Sequence, residues 1–279
     1  MERFIVGIDS STGSEDALRW ALREARIRDA TLTAVLAWDF LDQYQPDGTR
    51  GFDPDYDEHT ARRALDAAVE RALGDDADEV LRHVIRDLPA RGLLDVAEDA
   101  GLLVVGARGL GGFRGLVLGS VSQRVVENAP CPVALVRGTD EGRGRIVVGV
   151  DGSEGSAKAM RWAAEEARLR DATLVVVHGW EVPYAGEMTY AGDVLTMYQE
   201  GAAELVDQVV EAAGLPPEQA VERRPVHDSP VRALTDAAED ADLLVVGSRG
   251  RGGFAGLLLG SVSSQISRHG TRPVVVIPT

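Results

Sequence analysis

The sequence predicts an α/β fold made of two tandem domains, each a doubly wound parallel sheet. Three observations carry that expectation. Apolar runs of strand character alternate with helical patterns along the chain. The first half recurs in the second at an offset of 141 or 142 residues. In each half a glycine-rich turn leaves an apolar run and opens a helix.

The first strand is expected near 3–9, where Phe4-Ile5-Val6-Gly7-Ile8-Asp9 begins almost at the N-terminus. A helix near 14–28 follows, with Trp20 on its apolar face. The second strand, near 31–37, runs out through Leu36-Ala37-Trp38. A helix near 58–73 leads to a third strand near 79–85, and a helix near 89–100 leads to the fourth strand near 102–106, Leu102-Leu103-Val104-Val105. A helix near 120–129 starts at Ser120-Val121-Ser122, and a fifth strand near 132–137 closes the half. The second half reads the same way, with strands near 145–151, 173–179, 220–226, 242–247 and 273–278.

The repeat is close enough to align by eye. Arg28-Asp29-Ala30-Thr31-Leu32 returns as Arg170-Asp171-Ala172-Thr173-Leu174, Trp38 as Trp180, and Pro89 and Pro132 as Pro230 and Pro273. A period this long means two whole domains rather than a solenoid, and 279 residues suffice for two cores. The domains are expected over 1–138 and 145–279, joined by the polar, glycine-rich stretch from Gly138 to Gly144.

The glycine turns spell Gly106-x2-Gly109-x9-Gly119-Ser120 and Gly247-x2-Gly250-x9-Gly260-Ser261. Without a Cβ, glycine lets backbone amides approach a ligand closely. Several amides at a helix N-terminus then converge on one anion, and the helix dipole adds attraction of about 0.3–2 kcal/mol. One such turn after a strand is common in parallel α/β proteins; two at matched positions point to phosphate. The hydroxyls of Ser120, Ser122, Ser261 and Ser263 can donate to the same oxygens, and Ser120 and Ser261 also suit N-caps. Sheets of this kind bind ligands beyond the carboxyl ends of their strands, where strand order reverses. Those ends carry Asp9, Asp151, Leu36-Ala37-Trp38, His178-Gly179-Trp180 and both glycine turns.

On these residues the chain resembles a tandem-domain member of the universal stress protein family, in its ATP-binding branch. The likeness covers essentially the full length, and the glycine signature is matched in both halves. It implies a Rossmann-like fold of strand order 3-2-1-4-5 with one ATP per domain, alone or with Mg2+. It also implies that Asp9 and Asp151 contact the ribose or the adenine-side backbone, with Gly7 and Gly149 two positions earlier. Ala37 and Gly179 lie near adenine. The phosphate loops are Gly106, Gly109, Gly119, Ser120, Val121 and Ser122, and Gly247, Gly250, Gly260, Ser261, Val262 and Ser263. Arg108 and Arg249 inside the loops either reach the phosphates or stand as solvated surface arginines. Arg114 has no counterpart, because the second half has Ala255 at that position, so the two sites need not bind equally well. In that family two domains commonly pair through their fifth strands, so the resemblance implies a contact between 132–137 and 273–278 within one chain, with a homodimer left open.

Composition removes several rivals. One basic residue is a lysine, Lys158 near the first helix of the second half, so no Gly-x4-Gly-Lys-Ser/Thr loop exists. Kinase motifs fail too, since no His-Arg-Asp loop is present. A receiver domain would want clustered acids at the first strand, and each half offers one. A net charge of −16 disfavours DNA and RNA as partners. No signal peptide and no apolar run of membrane-spanning length occur, so a cytoplasmic protein is expected.

The lone Cys131, before Pro132 and an apolar strand, reads as half-buried packing, and its counterpart Arg272 excludes a thiol chemistry shared by the two halves. The histidines do not repeat, which disfavours a shared metal site. His178, at a strand end beside the adenine position, either serves the pocket or bonds to backbone. Trp20 and Trp162 read as core, and Trp38 and Trp180 either wall the adenine site or pack at its rim. The polar stretch from Asp39 to Asp57, with its poorly matched counterpart from Glu181 to Asp193, reads as a lid over the ligand. Hydrolysis needs groups that orient water and hold a metal, and each half has one matched carboxylate. The expected function is therefore an ATP-binding regulator of stress response or growth, acting through a protein partner with little or no turnover. A slow ATPase of the wider adenine-nucleotide-binding superfamily is the alternative.

Overall fold

Each half folds around a strand that the sequence makes apolar on both faces. In the first half β1 (Arg3–Gly7) buries Phe4, Ile5 and Val6 almost completely. Continuous burial of this sort is what a parallel sheet covered on both faces produces. The computed structural model describes residues 1–39, 43–44, 50–51, 55–109, 118–138, 142–182, 192–251 and 258–279. By its contacts the chain divides into two compact units, one centred on Met1–Thr139 and the other on Asp140–Ile266 with Gly270–Ile277.

In the first unit β1 is followed by α1 (Thr12–Arg28), β2 (Thr31–Trp38) and a short antiparallel pair, β3 (Gln43–Tyr44) and β4 (Arg50–Gly51). Then come α2 (Glu58–Leu73), β5 (Val80–Arg86), α3 (Pro89–Val96), β6 (Leu102–Gly106), α4 (Ser120–Asn128) and β7 (Val133–Val136). The second unit runs β8 (Arg145–Gly149), α5 (Glu154–Leu169), β9 (Thr173–Trp180), α6 (Gly192–Ala212) and β10 (Val221–His227). It ends with α7 (Pro230–Ala238), β11 (Leu243–Gly247), α8 (Ser261–His269) and β12 (Val274–Ile277).

The strand order is β5-β2-β1-β6-β7 in one unit and β10-β9-β8-β11-β12 in the other, every pair parallel. That is order 3-2-1-4-5 in both, and it places the reversal between β1 and β6 and between β8 and β11. The registers match across the repeat: Ile5 lies opposite Leu103, and Val147 opposite Leu244.

The helices form where caps and apolar stripes agree. α1 and α5 open on Ser11 and Ser153, whose hydroxyls accept from the Ser14 and Ser156 amides at 3.1 Å. Ala17, Leu18, Ala21, Leu22 and Ala25 of α1 then face the sheet, as do Ala159, Met160, Ala163 and Ala167 of α5. Each fully buried large apolar side chain in such a layer stabilises by about 1.5–3 kcal/mol.

Some expectations change in detail. The helix expected to reach residue 100 stops at Val96, because the Ala97 amide is shared between the Leu93 and Leu94 carbonyls and the turn tightens. Trp20 is core at 1% exposure, but Trp162 is half-buried. Cys131 is fully buried and burial pushes its thiol up to about 11, which suits packing rather than reactivity. Most of the stretch from Asp39 to Asp57, most of that from Glu181 to Asp193, residues 139–141 of the junction, Arg114 and Ala255 lie outside the described residues.

Candidate functional site

β8 stops at Gly149, and Val150 and Asp151 carry the chain to Ser153, the cap of α5. The Asp151 carboxylate is gripped from two sides. Its Oδ1 accepts from the Ser153 amide at 3.0 Å, and its Oδ2 accepts from the Arg251 amide at 2.8 Å. It thereby ties the turn after the first strand to the glycine loop after β11. Burial works against its charge, but the hydrogen bonds from Ser153, the Arg251 amide and Ser156 outweigh that and hold the carboxyl below its ordinary value.

The three glycines of the loop differ in what the protein needs from them. A Cβ on Gly250 would lie 2.3 Å from Asp151 Oδ2, so this glycine makes room for the aspartate. A Cβ on Gly247 would lie 2.9 Å from the Gly155 carbonyl, where the first turn of α5 abuts the loop backbone to backbone. Gly260 is unlike both: its nearest neighbours would stand at 3.4 Å or more, and its φ of −70° suits any residue. Nothing among the described residues requires glycine there.

The loop is closed like a collar. The Gly260 amide donates to the Ser248 carbonyl at 2.8 Å, and the Ser263 hydroxyl donates to the Gly247 carbonyl at 2.6 Å. Gly260 itself occupies the N-cap, without a side-chain hydrogen bond, so Ser261 is the first helical residue rather than the cap. The Ser261, Val262 and Ser263 amides precede the first intrahelical bond, from Ser264 to Gly260, and carry the positive end of the helix dipole.

These groups surround a cavity of about 440 Å³. It brings together the second-half residues expected to hold the nucleotide, Gly149, Asp151, Gly179, Gly247, Arg249, Gly250, Gly260, Ser261, Val262 and Ser263, but not Trp180. It also holds residues to which no role, or no settled one, was assigned: Val150, Ser156, His178, Pro230, Leu234, Val246 and Arg251. The Arg249 side chain donates from Nε to the Thr279 hydroxyl at 2.8 Å. His178 donates from Nδ1 to the Val150 carbonyl at 2.8 Å while lining the cavity. Trp180 does not line it; the ring stacks on His227 at 4.3 Å and on Tyr198 at 6.5 Å.

The first unit repeats the construction. Asp9 Oδ1 accepts from the Ser11 amide at 3.1 Å and from its hydroxyl at 2.5 Å. A Cβ on Gly109 would lie 2.1 Å from Asp9 Oδ2, one on Gly106 2.6 Å from the Gly13 carbonyl oxygen, and one on Gly7 2.8 Å from Leu93. A Cβ on Gly119 would meet no described atom nearer than 3.6 Å, and the Gly119 amide donates to the Ala107 carbonyl. The Ser122 hydroxyl donates to the Gly106 carbonyl at 2.7 Å, leaving exposed Ser120 and half-buried Val121 at the start of α4. Ala37 is half-buried near the end of β2. Arg108 adds positive charge: burial first, then Arg108, pushes Arg137 down to about 10. Trp38 packs on Tyr56 at 5.9 Å with Arg86 over its ring.

Gly13 and Gly155 were missed from sequence, although they repeat at the same offset as the caps beside them. Their importance lies in contact with a loop far along the chain. Among the described residues no group of three or more His, Cys, Asp or Glu side chains could hold a metal ion, and no helix is long and apolar enough to cross a membrane.

A family model, the universal stress protein family, matches residues 1–137 and 142–278. A universal stress protein of Mycobacterium tuberculosis is 34% identical over 98% of this chain and 95% of its own length. One from Mycolicibacterium smegmatis is 35% identical over 98% and 96%. Among solved structures, a universal stress protein from Archaeoglobus fulgidus superposes with a TM-score of 0.66 at 20% identity, covering 99% of this chain and 96% of that one.

Proposed function

We propose, because the chain belongs to the universal stress protein family, that each domain binds one adenine nucleotide, ATP, and regulates a protein partner through its occupancy. The observation that carries this reading is the third glycine of each loop. Gly106, Gly109, Gly247 and Gly250 are explained by contacts within the protein, whereas Gly119 and Gly260 have ordinary space around them among the described residues and an unstrained backbone. A ligand seated against the helix N-terminus supplies the missing reason: a Cβ there would occupy the place of a phosphate oxygen.

Ser120 or Ser261, the first amides of α4 or α8, and Arg108 or Arg249 then cradle the phosphates. Asp9 or Asp151 and the backbone at Ala37 or Gly179 take the sugar and base. Mg2+ would enter with the phosphates, since the described residues gather no cluster of carboxylates to hold it by themselves. Slow or no turnover fits this assignment: Asp9 and Asp151 are engaged with the sugar end and already accept hydrogen bonds from neighbouring groups, so they are poorly placed to orient a water at the terminal phosphate. The setting is the cytoplasm.

Calorimetry on the Gly119→Ala, Gly260→Ala double variant tests this. The expected result is an unchanged melting temperature with nucleotide uptake lost; undiminished uptake of ATP would sink the proposal. Mass spectrometry of material released from the denatured wild type then identifies the nucleotide and whether it has been turned over.

A further inference from the structure

The second cavity carries two polar side chains that the first half replaces with leucine. His178 stands where the first half has Leu36, and Arg251 where it has Leu110. Both line the cavity that holds Asp151 and the glycine loop. Neither residue is part of the repeated signature, so duplication does not account for them.

Topology places them at opposite ends. β8 is flanked by β9 on one side and β11 on the other. The glycine loop follows β11, so phosphates belong on that side. His178 lies on β9, beside Gly179, and α7 brings Pro230 and Leu234 to the same cavity. A Cβ on Gly179 would lie 2.6 Å from Pro230 Cα, so this end is tight and largely apolar, as a purine requires.

The tautomer of His178 is set by its partner. The Val150 carbonyl accepts only, so Nδ1 carries the proton in the 2.8 Å hydrogen bond, and the neutral ring keeps Nε2 as an acceptor. The exocyclic amine of adenine is a donor. The carbonyl that guanine and hypoxanthine carry at that position is an acceptor and would leave two acceptors opposed. Leu36, buried at 6% exposure, offers the first site no such group.

Arg251 has a fixed backbone and a loosely held head. Its amide is bound to Asp151, while its Nη2 reaches the Gly152 carbonyl only at 3.5 Å. The guanidinium lies over Gly152, where a Cβ would stand 2.3 Å from Nη2. Gly152 has a φ of 75°, and its counterpart Ser10 adopts 63°. The first half thus keeps the backbone turn but places a side chain where the second half rests its arginine. Arg251 also lines a cavity of about 460 Å³ between α5 and α6, so it stands on the lip between two openings and can turn into the nucleotide cavity.

We infer that the two sites are unequal: the second is the tight, adenine-selective triphosphate site, with His178 reading the base and Arg251 the phosphates, and the first is weaker and less selective. The inference rests on the nucleotide reading of the cavity. A charge-assisted, two-pronged hydrogen bond from arginine strengthens with each added phosphate charge, so Arg251 sets preference for ATP over AMP. At low nucleotide the second domain fills first, and the first domain responds only when the supply is ample.

Calorimetry on the full chain, freed of bound nucleotide, with AMP, ADP, ATP and inosine triphosphate tests this. Wild type is expected to show two unequal classes, one per chain, the tight one strengthening from AMP to ATP. Arg251→Leu is expected to weaken ATP at that class by about 10- to 100-fold and AMP far less. Arg251→Lys should fall between, since it keeps charge without the fork, and it serves where the leucine variant does not fold. His178→Leu is expected to narrow the preference for ATP over inosine triphosphate and leave the dependence on phosphate number intact. Equal sites in wild type, or a loss uniform across all four ligands, overturns the inference and leaves nucleotide binding standing. No uptake at either site overturns both.

Discussion

Asp151 is half-buried, and burial alone would raise its carboxyl; the Ser153 and Arg251 hydrogen bonds reverse the sign. A carboxyl lowered in the folded state contributes stability above its unfolded value and loses it as pH falls through the folded one. Asp151→Asn is therefore expected to be less stable than wild type at neutral pH, with the gap closing below about pH 4, read from urea denaturation across pH. The glycines make a sharper comparison. Gly250→Ala must push the aspartate off its amides and is expected to cost about 1–3 kcal/mol, whereas Gly260→Ala should leave the melting temperature nearly unchanged. Equal costs would mean that the two glycines do the same job. The motif was legible in the sequence as a spacing, but the division of labour among its glycines was not. That depends on which atoms stand opposite each Cα.

At the scale of elements, the reading succeeded where periodicity is long and failed at ends. β6 and β11, the Leu-Leu-Val-Val runs, are buried throughout as expected of strands covered on both faces. Serine caps were expected at α4 and α8, yet glycine occupies both N-caps, and serine caps stand instead at α1, α5 and α7. The reason is the loop: its closure through the Gly119 and Gly260 amides fixes the N-cap one residue before the serine. Ser153→Ala is expected to cost about 1 kcal/mol, since it removes both the cap to Ser156 and a partner of Asp151. A thermal melt checks it, and a variant as stable as wild type would remove Ser153 from the account of α5.

At the scale of the whole molecule, the chain is acidic, with a net charge of −16, and its proposed ligand is an anion. Binding then depends on local fields: helix termini, loop amides and the arginines Arg108, Arg249 and Arg251. ATP at about 100 times its dissociation constant is expected to add about 2.7 kcal/mol to a domain that binds it, seen as a raised melting temperature. We propose domain limits of 1–138 and 145–279. Residues 145–279 expressed alone should unfold cooperatively and gain stability with ATP; a chain with no cooperative transition would argue against a self-contained second domain. The amino-acid sequence by itself determined the duplication, the alternating α/β elements and the two glycine signatures, because periodicity and repetition are local in the chain. Only the tertiary structure decided that Gly13 and Gly155 abut the loops, that Gly119 and Gly260 meet no close neighbour among the described residues, and that His178 and Arg251 share one cavity. Those are relations between segments brought together across the sheet, and no spacing along the chain encodes a distance between them.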